Sequence, residues 1–160
     1  MTARPPLSSP GVHFPPPFLF FGGVLLGWFL DRYWRPLPLS SGVGAAVGRI
    51  GVFALVVGVG LAVWGMLTFR RARTAIVPNQ SASQLVTSGP YRFTRNPMYV
   101  GLTIAYVGVA AMLNSAWLLI LLPVVLIVLI KLVITREELY LIDAFGEHYT
   151  AYRARVRRWL

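Results

Sequence analysis

From Ile50 to Phe69 the chain carries 20 residues without a charge, closed by Arg70, Arg71 and Arg73. A bilayer core about 30 Å thick needs roughly 20 apolar helical residues, so this run predicts a membrane span. From Asn96 to Ile130 there are 35 uncharged residues. As one helix they would reach about 52 Å, too long for a single crossing. Asn114-Ser115, near the middle, is a turn signal. The stretch therefore predicts a tight hairpin, Pro97 to Leu113 and then Ala116 to about Ile134, with Lys131 snorkelling at the end. An earlier run, Phe14 to Leu30, begins at Pro15, Pro16 and Pro17. It lacks the preceding basic cluster and following cleavage site of a signal peptide. The flank Asp31-Arg32-Tyr33-Trp34-Arg35 reads instead as an interfacial anchor of a retained helix. The expected architecture is all-α: one integral membrane domain, residues 1–160, with about four transmembrane helices (14–30, 50–69, 97–113 and 116–134). A cytoplasmic loop and a C-terminal helical segment complete it. That segment is expected to stop near Gly146 and resume as a short helix from Glu147 to Arg158.

Composition narrows the class. The chain is 56% hydrophobic and 12% charged, about half the charge of an ordinary soluble domain. Disordered chains are poor in aliphatic and aromatic residues, so disorder is excluded. Zero cysteines remove disulfides, thiolate zinc sites and cysteine nucleophiles. Two histidines, His13 and His148, leave little for a metal centre, and none is expected.

The net charge of +10 is distributed by topology. Four spans put both ends on one side. If that side is the cytoplasm it holds Arg4, Arg70, Arg71, Arg73, Arg92, Arg95, Lys131, Arg136, Arg153, Arg155, Arg157 and Arg158, leaving only Arg32, Arg35 and Arg49 outside. The positive-inside rule thus favours N-in, C-in, in a plasma (inner) membrane. Asp31 lies outside, whereas Glu137, Glu138, Asp143 and Glu147 follow the last span within eleven residues. The cations cluster at membrane boundaries rather than in a basic domain, so no nucleic-acid partner is expected. The Gly44 to Gly48 spacing is too common in membrane helices to assign a dimer, and the oligomeric state stays open.

Two cytoplasmic segments carry the polar chemistry: the loop from Arg70 to Asn96 and the tail from Arg136. Asn96-Pro97 is a good helix start, Asn as N-cap and Pro at the first helical position. That helix end would also receive an anion, with Arg92 and Arg95 beside it. Arg136-Glu137-Glu138 closes the last span. As a helix end it could be merely solvated, yet carboxylates there oppose the macrodipole and ask for a cationic partner: a ligand, Arg92, Arg95 or the tail arginines. The tail from Tyr149 to Leu160 is basic and aromatic, and its plain reading is an amphipathic helix on an anionic leaflet.

Gly89-Pro90-Tyr91-Arg92-Phe93-Thr94-Arg95-Asn96-Pro97-Met98-Tyr99-Val100-Gly101, a helical hairpin, Arg136-Glu137-Glu138 and Phe145-Gly146-Glu147-His148-Tyr149 follow in order. This resembles the isoprenylcysteine carboxyl methyltransferase family, whose bacterial members and related phospholipid methyltransferases share G-P-Y-x-x-x-R-[HN]-P-x-Y-x-G, then E-E, then F-G-x-x-Y-x-x-Y-x-x-x-V. Tyr152 and Val156 continue the pattern, and the resemblance covers roughly Leu85 to Leu160. It implies an S-adenosylmethionine-dependent methyltransferase made of membrane helices, releasing S-adenosylhomocysteine, with the cofactor at their cytoplasmic end under the C-terminal segment. A lipophilic acceptor, an isoprenylcysteine-like carboxylate or a lipid, would enter from the bilayer. Carried over by position, Leu85, Val86, Gly89, Tyr91, Arg95, Asn96, Pro97, Tyr99, Glu137 and Glu138 would line the cofactor site. Glu137, Glu138 and Arg158 would be the catalytic candidates. Asn96 stands where the eukaryotic enzymes have His, and Val156-Arg157-Arg158 where the family has Val-Pro-Arg.

The residue chemistry agrees with this implication. Glutamates suit an ammonium and ribose hydroxyls, while arginine and a helix N-terminus suit a carboxylate. Two other classes remain as alternatives. One is a membrane NADPH-dependent sterol-type reductase, which shares an Asn-Pro-x-Tyr-type turn, although a Glu pair would repel a 2′-phosphate. The other is a non-enzymatic membrane adaptor docking through its basic loop and tail.

Overall fold

Three prolines set where the first helix begins. In the computed structural model, which describes residue 11 and residues 14–39, 44–72 and 84–160, Pro17 takes the first position of α1 (Pro17–Tyr33). A proline's fixed φ and missing N–H are harmless only there. The helix accordingly starts three residues later than the apolar run suggests. Arg4, His13, Ser40, Arg73, Pro78 and residues 79–83 lie outside the described residues.

α2 (Gly44–Arg71) is 28 residues long and ends on Arg70 and Arg71, cations at the negative end of the helix dipole. After a 3-10 turn (Gly89–Arg92), α3 (Pro97–Met112) and α4 (Ala116–Leu129) form the hairpin. Asn114 turns the corner at φ +50°, one of the few residues that tolerate this region. α4 does not stop at the membrane edge. It passes through a π-helical segment (Ile130–Ile134) into α5 (Thr135–Phe145), and α6 (Glu147–Arg155) follows a break at Gly146, φ +53°. Glu137 and Glu138 are therefore inside a continuous helical run, not at its C-terminus, and the expected conflict with the macrodipole does not arise there.

The tightest packing joins α2 to α3 through glycines seven residues apart: Gly51 and Gly58 of α2 meet Gly108 and Gly101 of α3, while Gly65 packs on Met98 and Pro97. A Cβ on Gly58 would lie 2.5 Å from the Gly101 carbonyl oxygen, and a Cβ on Gly101 2.5 Å from that of Gly58. Backbone meets backbone along this seam. Gly48, by contrast, meets nothing within 4 Å.

α1 packs on α4, with Gly27 against Leu118, and its Phe20 ring meets Tyr106 of α3 edge-on at 6.2 Å. Leu118, Leu129, Val133 and Ile134 are fully buried in the resulting core. At one end the α1–α2 connection is sewn to the hairpin turn: Ala116 N–H donates to Leu37 O (2.8 Å), Trp117 Nε1 to Arg35 O (2.8 Å), and Trp34 stacks on Trp117. At the other, Arg136 Nη1 donates to Gly11 O (3.2 Å), so the N-terminal segment shares an end with α5.

The fold is all-α, and no strand occurs among the described residues. α2 and the run from Ala116 are long and apolar enough to cross a membrane, and α3 is a shorter apolar helix. The outward faces decide the solvent. Ile50, Phe53 and Val56 of α2 are about two-thirds exposed, as is Phe18 of α1, a surface suited to hydrocarbon rather than water.

Candidate functional site

The site forms at the end where α2 closes and α5 begins. Gly89 opens the 3-10 turn at φ +59°, and a Cβ there would sit 2.9 Å from Thr68 Oγ1 of α2. Only glycine meets both demands. The turn buries Val86, Pro90 and Tyr91, with the Tyr91 ring against Phe69 at 5.0 Å, while Leu85 is half-buried.

Asn96 does not act as the expected side-chain cap. Its backbone N–H donates to Thr94 Oγ1 (3.1 Å), and its side-chain Nδ2 donates to Arg158 O (3.0 Å). Thr94, buried, donates its own hydroxyl to the same carbonyl (3.1 Å). Arg95 N–H donates to Arg157 O (2.9 Å). Pro97 still takes the first helical position, buried. The loop before α3 thus holds the C-terminal tail, and α6 ends at Arg155 rather than Arg158 because Val156 turns extended, φ −118°, ψ 128°. Tyr149 and Tyr152 are buried against this loop, so that face of the tail packs on protein rather than on a leaflet. Tyr152 donates its hydroxyl to Tyr91 O at 2.7 Å.

The extended tail brings Arg158 back to α5. Its Nε and Nη2 meet Glu138 Oε1 and Oε2 at 3.0 and 2.6 Å, a bidentate pair. Arg95 Nη1 approaches Glu138 Oε1 at 3.1 Å and donates to the Tyr149 hydroxyl at 3.4 Å. Glu138, 7% exposed, is therefore engaged on both oxygens by two guanidiniums. Glu137 accepts the Tyr99 hydroxyl at 2.8 Å. Two buried polar atoms have no protein partner here, Tyr91 Oη and Arg95 Nε. Burial, first, and the charge of Glu137, second, push the Tyr91 phenol well above its ordinary range, so it stays a neutral donor. The Glu138 contact raises the Arg158 guanidinium further.

All eleven candidate residues from the sequence lie in this assembly or in the loop that frames it. Arg92 does not join: it is exposed and forms no ion pair among the described residues. Sequence reasoning gave no site role to Thr94, Tyr149 or Tyr152, although the Y-x-x-Y spacing that puts both tyrosines on one face of α6 was visible. Nothing in the sequence announced the π-helical segment, whose extra residue resets the register just before Glu137 and Glu138.

Residues 47–148, from the start of α2 to the start of α6, match the phospholipid methyltransferase family. The chain belongs to that family. Membership reaches further back than Leu85, taking in α2 and its glycine seam with α3. Over 72 residues, 45% of the chain, it is 39% identical to Protein-S-isoprenylcysteine O-methyltransferase of Schizosaccharomyces pombe. That match spans 30% of the yeast protein's length. No solved structure matches the chain.

Proposed function

We propose that the protein transfers a methyl group from S-adenosylmethionine to a lipophilic, membrane-embedded acceptor at its cytoplasmic end. The observation that carries this reading is the pair of buried, unpartnered atoms, Tyr91 Oη and Arg95 Nε, beside two glutamates. A buried polar group without a partner is costly, and a polar ligand would relieve both. The donor set fits a zwitterion with a sugar: Arg95 for a carboxylate, Glu137 for an ammonium or hydroxyls. When bound, S-adenosylmethionine supplies an electrophilic methyl on a sulfonium sulfur.

In this reading Glu137 is the catalytic candidate, oriented by Tyr99. Glu138 and Arg158 are positioning residues, since each spends its charge on the other and on Arg95. In-line transfer depends on orientation, which a closed tail and a fixed Arg95 provide. A carboxylate acceptor needs no base; an amine or thiol acceptor would lose its proton to Glu137 or to water. The family supports methyl transfer over the reductase and adaptor readings, and the yeast relative's name favours an isoprenylcysteine-like carboxylate among acceptors.

Calorimetric titration of the purified protein with S-adenosylmethionine, S-adenosylhomocysteine and NADPH tests the reading. Binding of both adenosyl compounds and not NADPH is expected; the reverse would establish the reductase, and no binding at all the adaptor. The proposed topology, both ends cytoplasmic, predicts opposite sides for reporter fusions at Ser40 and Ser81.

A further inference from the structure

On the outer face between α1 and α4 lies an apolar groove of about 160 Å³, walled by Leu19, Gly22 and Gly23 of α1 and by Val124, Val125 and Val128 of α4. Gly22 faces open space there: a Cβ on it would meet nothing within 4 Å. These residues lie in the first half of α1 and the second half of α4, toward the end that carries Lys131. Val124 and Val128 share one stripe of α4, and Lys131 follows three residues on, in the π-helical segment. Lys131 is exposed about one turn beyond the groove, toward the end that holds Arg136 and Gly11. Among the described residues no carboxylate pairs with it, because the ion pairs there are those of Glu138 with Arg95 and Arg158. A hydrocarbon slot topped by a lone ammonium at the interface has the order of a lipid: chain in the slot, anionic headgroup above.

We propose that this groove holds one anionic phospholipid of the surrounding leaflet, its acyl chain between α1 and α4 and its phosphate at Lys131, as a bound lipid that is not methylated. Charge complementarity selects the headgroup, and apolar burial holds the chain. A neutral lipid would fill the slot but leave the ammonium unpaired.

The test is native mass spectrometry of the full chain equilibrated with equimolar phosphatidylglycerol and phosphatidylcholine. One retained phosphatidylglycerol per chain is expected, favoured about fivefold, the worth of one interfacial lysine. Lys131→Gln should abolish the preference, and Gly22→Leu should lower retention of both lipids without changing the circular dichroism spectrum. Arg71→Gln, at the end of α2, should leave the preference intact. Equal retention by the unaltered protein, or a preference that survives Lys131→Gln, overturns the proposal. So does a dimer in place of bound lipid. Conversion of the retained lipid on adding S-adenosylmethionine would make it the acceptor and overturn its role as a bystander, whereas failure to bind S-adenosylmethionine leaves the lipid result standing.

Discussion

Arg158 closes on Glu138 through two parallel hydrogen bonds, at 3.0 and 2.6 Å, from a tail that has already given its backbone carbonyl to Thr94 and Asn96. One residue thus ties the C-terminus to α5 by its side chain and to the loop before α3 by its main chain.

Glu138→Gln keeps the shape of this tie and removes its charge. It should cost about 2 kcal/mol of stability, the worth of a hydrogen bond to an ionised group. Through the loosened Arg95 it should also weaken S-adenosylhomocysteine binding about tenfold. Arg158→Ala should cost less, because the Arg95–Glu138 pair remains, and the double variant should cost little more than Glu138→Gln, since the carboxylate that Arg158 binds is already lost. Additive losses in thermal unfolding would show that the two residues act separately.

Asn96→Asp distinguishes a cap from a tie. Asp caps helices as well as Asn does, so a capping role predicts unchanged stability. In the structure the side chain donates to Arg158 O, which a carboxylate cannot do. A loss of about 1 kcal/mol is expected, with faster proteolysis of the tail. Asn96→His retains an N–H donor and should lose less. Wild-type stability in Asn96→Asp would refute the tie.

Gly58→Ala places a methyl 2.5 Å from the Gly101 carbonyl oxygen. No side chain can move aside, so α2 and α3 must separate, at about 1–3 kcal/mol. Gly60→Ala, whose Cβ meets nothing within 4 Å, is the control and should be neutral. Comparable melting temperatures for the two would contradict the seam.

Burial, chiefly, holds the phenols of Tyr149 and Tyr152 above their ordinary value of 10.0. Beyond that pH the unfolded chain releases protons that the folded chain retains. Their contribution is complete below pH 10 and is lost as pH rises, by at most about 1.4 kcal/mol per pH unit for each tyrosine. Unfolding by denaturant from pH 8 to 11 should show the decline, and Tyr152→Phe should flatten it. A slope unchanged by Tyr152→Phe would place the titration elsewhere.

Apolar run lengths, charge runs and turn residues marked the helices, because each is a local preference that the chain carries with it: apolar length for α2, Pro97 at the head of α3, Asn114 at the corner, Gly146 at the break. The ordered motifs likewise named residues that the fold brings close to one another. Their partnerships were another matter. That Asn96 holds the tail instead of capping its helix depends on an extended Val156, which depends in turn on Tyr149 and Tyr152 finding the loop sixty residues earlier. That Glu138 faces two arginines while Glu137 faces Tyr99 depends on one extra residue in a π-helical segment whose sequence, Ile-Lys-Leu-Val-Ile, is ordinary. The heptad of glycines on α2 has meaning only against the matching heptad on α3. These choices are made by contacts between distant segments, and no local preference encodes them.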